Sequence, residues 1–314
     1  MMTRISTVAV ALSCVALVAG CGGGGSSGGA VGSTATSGGT VTTPVSSPTP
    51  GTPPATATYQ TLSSTAVATS TLEGVAFRSD GTTTGTDIVS TPGTLAHASG
   101  RTELSVGSYQ FVDPDGVDSN GRLSNGSSTL QQVATAGTYE YVAVYDHSYV
   151  DNGTAYDTVG VLGVATRAAD MPTAGGTAQA TYTGDAAALV VTGSDQYEMT
   201  GGVSNVSANF GSGTVDVTMN GFGATRHTGA GSAVAPIDTI SVTGMTIAGN
   251  EFSGGTVTTS NGGAGVAITG AGTTSAAQGN FYGYDAAIAA PDEVGGAVLQ
   301  RGSSGLVYGG FVAD

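Results

Sequence analysis

Asn-Gly and Asp-Gly pairs recur along this chain: Asp80-Gly81, Asn120-Gly121, Asn125-Gly126, Asn152-Gly153, Asn220-Gly221 and Asn261-Gly262. Residues of these types tolerate the positive φ that a two-residue hairpin turn requires. Between the pairs lie short runs rich in Val, Thr, Tyr and Ile, and Gly totals 53. Residues 214–219 and 239–243 alternate apolar and polar, which gives each run one greasy face. No stretch of ten or more residues combines a helical period with caps. The one short candidate, 285–290, stops at Pro291 and reads as a loop with a helical turn. The pattern predicts an antiparallel all-β body from Tyr59 onward.

After Gly176 the alternating segments lie near 177–183, 187–191, 202–210, 214–219, 239–247, 251–258, 278–284 and 294–300, with 306–312 as a further closer. Eight antiparallel strands close into a barrel whose interior is filled by its own side chains. A membrane-spanning barrel is the alternative, and it needs an apolar outer band with aromatic girdles. The chain has 7 Phe, no Trp and a Val-Ala-Asp end, which favours the filled barrel. Pro172 and the paired Gly175-Gly176 mark a seam. The division expected is a smaller N-terminal β module at 59–170 and a C-terminal eight-stranded β-barrel at 171–314.

The N-terminus has a different character. Arg4 is followed by an apolar run at 8–18 and by Val18-Ala19-Gly20-Cys21. A charged start, a short apolar middle and small residues before a cut form an export signal, here residues 1–20. The run is too short to span a bilayer, which takes about 20 apolar residues. The four residues resemble the lipobox of bacterial lipoproteins. That resemblance implies that Cys21 is acylated, with palmitate among its chains, and begins the mature protein. The alternative is an ordinary secretory signal cut near Gly20 that leaves a free thiol. Residues 21–58 read as a lipidated, disordered tether of Gly, Ser, Thr, Pro and Ala, and no charge occurs between Arg4 and Glu73. A flexible chain of this length spans about 30 Å r.m.s.. Gly22 stands where an inner-membrane retention signal has Asp, which implies an outer-membrane anchor facing the cell surface, with the periplasmic face as the other orientation.

Charge and residue counts exclude several function classes. The chain has no Lys, seven Arg and 22 Asp plus Glu, for a net charge of −15. Such a surface repels phosphates, so no nucleic-acid partner is expected. Of the two Cys, Cys14 lies within the signal, which leaves Cys21 without an internal disulfide partner or a second thiolate for metal. His97, His147 and His227 are scattered without the spacing of a metal site or a triad. The Asx-rich loop at 113–121 has oxygen ligands for calcium, but its spacing departs from the EF-hand and fits an ordinary acidic turn. No catalytic residue, metal ligand or cofactor is assigned. One segment, 139–150, is dense in rings. If it is a single strand, Tyr139, Tyr141, Tyr145, His147 and Tyr149 share a face, as a ligand-binding surface or as rings packed inside the N-terminal module.

Three stretches of the C-terminal half carry a further likeness. Met171-Pro172 leads to Ala180-Thr181-Tyr182-Thr183-Gly184. Residues 206–215 place Phe210 at a strand end and Gly211 in the turn. Gly279-Asn280-Phe281-Tyr282-Gly283 precedes Asp292-Glu293-Val294-Gly295-Gly296. Together they resemble the C-terminal β-barrel of transferrin-binding-protein-like surface lipoproteins, which is also similar to that of factor H-binding protein. The resemblance implies a non-enzymatic, membrane-anchored surface lipoprotein that binds an extracellular ligand, in solute or iron/haem uptake. An adhesin or structural coat protein is the alternative. The family's host-protein-binding residues have no counterpart among these motifs.

Overall fold

The computed structural model describes residues 40–41, 59, 70–82, 85–91, 93–98, 101–106, 109–113, 122–125, 128–132 and 139–314. Every regular element among them is a strand. A two-residue strand, β1 (Thr40–Val41), comes first. The N-terminal body follows with β2 (Ser70–Ser79), β3 (Asp87–Ser90), β4 (Gly93–Ala98), β5 (Arg101–Val106), β6 (Tyr109–Asp113), β7 (Arg122–Asn125), β8 (Ser128–Gln132), β9 (Val142–Asp151) and β10 (Thr154–Gly163). The C-terminal body contains β11 (Gln179–Thr192), β12 (Asp195–Asn209), β13 (Thr214–Asn220), β14 (Ala224–Thr228), β15 (Thr239–Ala248), β16 (Glu251–Asn261), β17 (Ala264–Gly265), β18 (Thr274–Tyr282), β19 (Glu293–Arg301) and β20 (Gly305–Ala313).

The C-terminal strands form a closed barrel. Antiparallel pairing runs β11-β20-β19-β18-β16-β15-β13-β12, and β12 pairs back onto β11, so eight strands complete the circle. Short β14, β17 and β1 attach to β12, β16 and β11. Inward residues alternate with outward ones: Val215, Val217 and Met219 on β13 are buried, and Asp216 between them is exposed. Rings fill the lumen. Phe281 lies 5.4 Å from Phe210, 6.5 Å from Tyr182 and 5.2 Å, edge-on, from Phe252. Offset and edge-on ring pairs add about 0.5–1.5 kcal/mol beyond their buried area.

Two expected segments, 177–183 and 187–191, are one strand. Gly184 and Asp185, between the two expected segments, lie inside β11, and a Cβ at Gly184 would strike the Val312 carbonyl oxygen and the Tyr139 hydroxyl. A register shift between Ala186 and Ala188 is the only break in the β11–β12 pairing. The further closer at 306–312 is a full barrel strand, β20, so the total remains eight. Residues 285–290 form a turn closed by an Asp285–Ala290 bridge.

The N-terminal strands run in the order β6-β5-β4-β2-β10-β9-β8-β7, with β3 beside β2. Asn152 (φ 48°) and Gly153 (φ 80°) turn the β9–β10 hairpin, as the Asn-Gly pair predicts. One face of this sheet packs on the outside of the barrel. Val75, Phe77, Val142, Val144, Val159 and Val161 meet Leu189, Leu299, Leu306, Tyr308 and Val312. That contact explains why β19 and β20 read as continuous apolar runs: they are buried on both faces. A polar rim surrounds it, with Asn250 Nδ2 donating to Glu73 Oε2 at 2.8 Å and Gln278 Nε2 to Ser90 Oγ at 3.1 Å. A cavity of about 20 Å³ lies in the contact, lined by Phe77, Val144, Val159, Ala187 and Phe311 among others. It is apolar.

Candidate functional site

Cys21, the tether apart from Thr40–Val41, and the Asx-rich loop beyond Asp113 lie outside the described residues. The aromatic segment 139–150 lies largely within them, and it is not one strand. β9 begins at Val142, and Glu140-Tyr141 form a bend before it. The cause of the bend is a carboxylate from the barrel. Glu293, at the start of β19, accepts the backbone N–H groups of Glu140, of Tyr141 at 3.0 Å and of Val142 at 2.9 Å. Three successive amides cannot converge on one carboxylate in an extended strand, whose N–H groups point alternately to either side.

The bend splits the five ring residues into two groups. Tyr139 and Tyr141 face the barrel junction. Tyr139 donates to Asp185 Oδ2 at 3.0 Å and accepts from the Asp185 amide at 3.1 Å. Burial, then the Asp185 charge, pushes its phenol well above the ordinary range. Tyr141 is half-buried and lies against Gly283, where a Cβ would strike its ring. Burial, then Asp292, raises it to about 12. Tyr145, His147 and Tyr149 occupy the sheet face turned away from the barrel. Tyr145 and His147 are each 3% exposed, and Tyr149 is half-buried. Burial lowers His147 to about 4, so its ring is neutral at physiological pH. Of the five, Tyr139, Tyr145 and His147 are buried.

The junction carries most of the perturbed electrostatics. Glu293 is 2% exposed, and burial raises its carboxyl to about 8 against the pull of the three amides. Burial, then Asp285 and Glu140, raises neighbouring Asp292 to about 6. Glu293 is legible in sequence as one acid at the head of an apolar run, but its partners lie about 150 residues away and leave no local signal.

A second cluster lies where β14 covers the upper half of β12. Arg226 donates to Glu198, which is 8% exposed. His227 Nε2 sits 3.3 Å from Asp195 Oδ1, and its ring lies tilted, 4.8 Å from that of Tyr197. The Gly231 amide, then His227, lowers Asp195. These side chains satisfy one another and hold β14 to the hairpin. Among the described residues no group of three or more His, Cys, Asp or Glu is placed to hold a metal ion.

Comparison with known proteins bears on the architecture. No protein-family model matches the chain, and no curated protein does. The chain is similar to solved structures of transferrin-binding protein B. Intact Ap-TbpB, with N and C lobes, overlaps 77% of this chain at 20% identity and a TM-score of 0.48. A variant from Haemophilus parasuis Hp5, described as a vaccine antigen, gives 77%, 18% and 0.48. The isotype 1 protein of serogroup B Neisseria meningitidis gives 77%, 14% and 0.46. The chain spans less than half the length of each, 45%, 44% and 43% respectively.

Proposed function

We propose that this chain is a non-enzymatic lipoprotein, tethered through Cys21 to the outer membrane, that binds a ligand outside the cell in solute or iron/haem uptake. The observation that carries the reading is the sequence Val18-Ala19-Gly20-Cys21 after a short apolar run and before some fifty residues without a charge. That order supplies a lipid and a spacer to a body that is itself rigid. The architecture fits the role. The barrel lumen is packed with rings, which leaves the outer faces and loops to make contacts. The buried acid Glu293 is engaged by backbone amides at a structural junction.

One observation favours the second reading, an adhesin or coat protein. The barrel wall away from the N-terminal sheet presents cross-strand rows of small polar side chains. Thr183, Asn205, Thr218, Ser241 and Thr258 align across five strands. Such a wall suits a rigid display unit with many weak contacts. Cell fractionation tests the anchor that both readings share. Cys21→Ala is expected to move the chain from the membrane to the soluble fraction, because each buried CH₂ of an acyl chain contributes about 0.8 kcal/mol. Unchanged membrane association would reject it. Capture from spent medium by the released protein then separates the readings: a bound small molecule or iron carrier supports uptake, and adhesion to surfaces without such a ligand supports display.

A further inference from the structure

Two points of the N-terminal segment touch the folded body, and both lie at one end of the barrel. The first is Tyr59. Its hydroxyl donates to Asp170 Oδ2 at 2.6 Å and accepts the Arg167 backbone N–H at 2.7 Å. The Arg167 guanidinium lies 5.1 Å over its ring, and the Tyr284 ring is 6.0 Å away. Burial, then the bond to Asp170, pushes the phenol up to about 12. The platform beneath it is fixed in turn. Thr166 donates its N–H to the Phe281 carbonyl and its hydroxyl to the Gly283 carbonyl, which ties the 164–170 connection to the end of β18.

The second point is β1. β20 pairs with β11 as far as Ala313, opposite Gly184, and the Asp314 carbonyl accepts the Thr183 N–H. β11 itself starts at Gln179, with its other side on β12. N–H groups along a strand point alternately to either side, so the Thr181 amide faces the same side as that of Thr183. Thr40 and Val41 stand there, opposite Thr181 and Ala180 and antiparallel to β11. β1 thus lies in line with β20 and takes places further along the same edge. An open strand edge invites unwanted pairing, and covering it removes that hazard.

We propose that this end of the barrel is a docking site for the chain's own N-terminal segment, with β1 sealing the β11 edge and Tyr59 pinning the segment to the 167–170 connection. The proposal rests on the reading of residues 21–58 as a lipidated tether. Docking sets the length of the leash. From Cys21 to Thr40 the chain reaches at most about 65 Å, at about 3.4 Å per residue, and from Cys21 to Tyr59 about twice as far. The lipidated stretch therefore leaves from this end of the barrel, and the turns at 193–194, 229–238 and 302–304 lie at the opposite end.

The test uses the exported full chain carrying Cys21→Ala, which has no thiol once the signal is removed. Paired residues of antiparallel strands have Cα atoms about 4.5–5.5 Å apart, within the range that a disulfide bridges. Thr40→Cys combined with Thr181→Cys is expected to close an intramolecular disulfide at least about tenfold faster than Thr40→Cys combined with Thr243→Cys, since a docked pair exceeds the effective concentration of a freely moving segment. Thr243 is exposed on β15, three strands away from β11. Equal rates for the two pairs would overturn the proposal. Chymotrypsin cleavage after residue 59 reads the other point. Tyr59→Phe keeps the ring and the cleavage site and removes the hydroxyl. Its cleavage is expected to be at least about tenfold faster than that of the parent, each rate taken relative to a short peptide of the same sequence. Cleavage that Tyr59→Phe leaves unchanged would also overturn the proposal. Neither readout involves the lipid, so these outcomes reject the docking alone, and the anchor stands or falls on the Cys21→Ala fractionation.

Discussion

A buried carboxyl group stands at the junction of the two bodies of this protein. Glu293 leaves the barrel wall and gathers three amides of the segment that enters β9. Burial raises it to about 8 from an ordinary value of 4.5, so the folded chain keeps a proton that the unfolded chain releases. The contribution is thus fully present below about pH 4.5 and is lost as pH rises through about 8, at about 1.4 kcal/mol per pH unit between. Asp292, raised to about 6, adds the same sign over the lower part of that window. Thermal melts are expected to show a Tm that falls between pH 5 and pH 9, and a flatter dependence in Glu293→Gln. A Glu293→Gln slope equal to that of the parent would contradict the assignment. Glu293→Ala leaves three N–H groups, that of Val142 buried, without their acceptor and is expected to cost about 3 kcal/mol.

At the scale of elements, β9 shows where a sequence reading succeeds and where it stops. Alternation and the Asn152-Gly153 turn identify the β9–β10 hairpin, because those signals are local. The phase of the rings is not local. Their assignment to one face assumes a strand that starts at Tyr139, and the barrel carboxylate resets the chain two residues later. The gap between segments 177–183 and 187–191 closes for a related reason: the space that Gly184 leaves inside β11 belongs to Val312 and Tyr139. The eight-strand barrel is legible because closure follows from alternation and strand number. The packing of the N-terminal sheet on β11, β19 and β20 leaves only unbroken apolar runs as its trace, and Arg78, Thr158 and Tyr156 meet across strands far apart in sequence. The position of Tyr145 yields a prediction. Changing Tyr141 and Tyr145 together to Ser is expected to lower the Tm by many degrees, since emptying a buried aromatic site costs about 3–5 kcal/mol. A double variant that melts like the parent would place these rings at the surface.

At the scale of the molecule, a filled barrel carries a curved sheet on one wall. The closed barrel has its own core, and a fragment covering 171–314 is expected to give β-type circular dichroism and a cooperative melt. Removing the sheet uncovers Leu189, Leu299, Leu306, Tyr308 and Val312, so the fragment is also expected to self-associate in sedimentation where the full chain does not. A disordered spectrum would reject the division into two bodies. The position of this unit relative to a membrane rests on its N-terminus. Intact mass spectrometry of the protein extracted in detergent tests that most directly. The account predicts a polypeptide that begins at Cys21 and carries acyl chains on that residue, and a chain that begins elsewhere, or an unmodified Cys21, would contradict it.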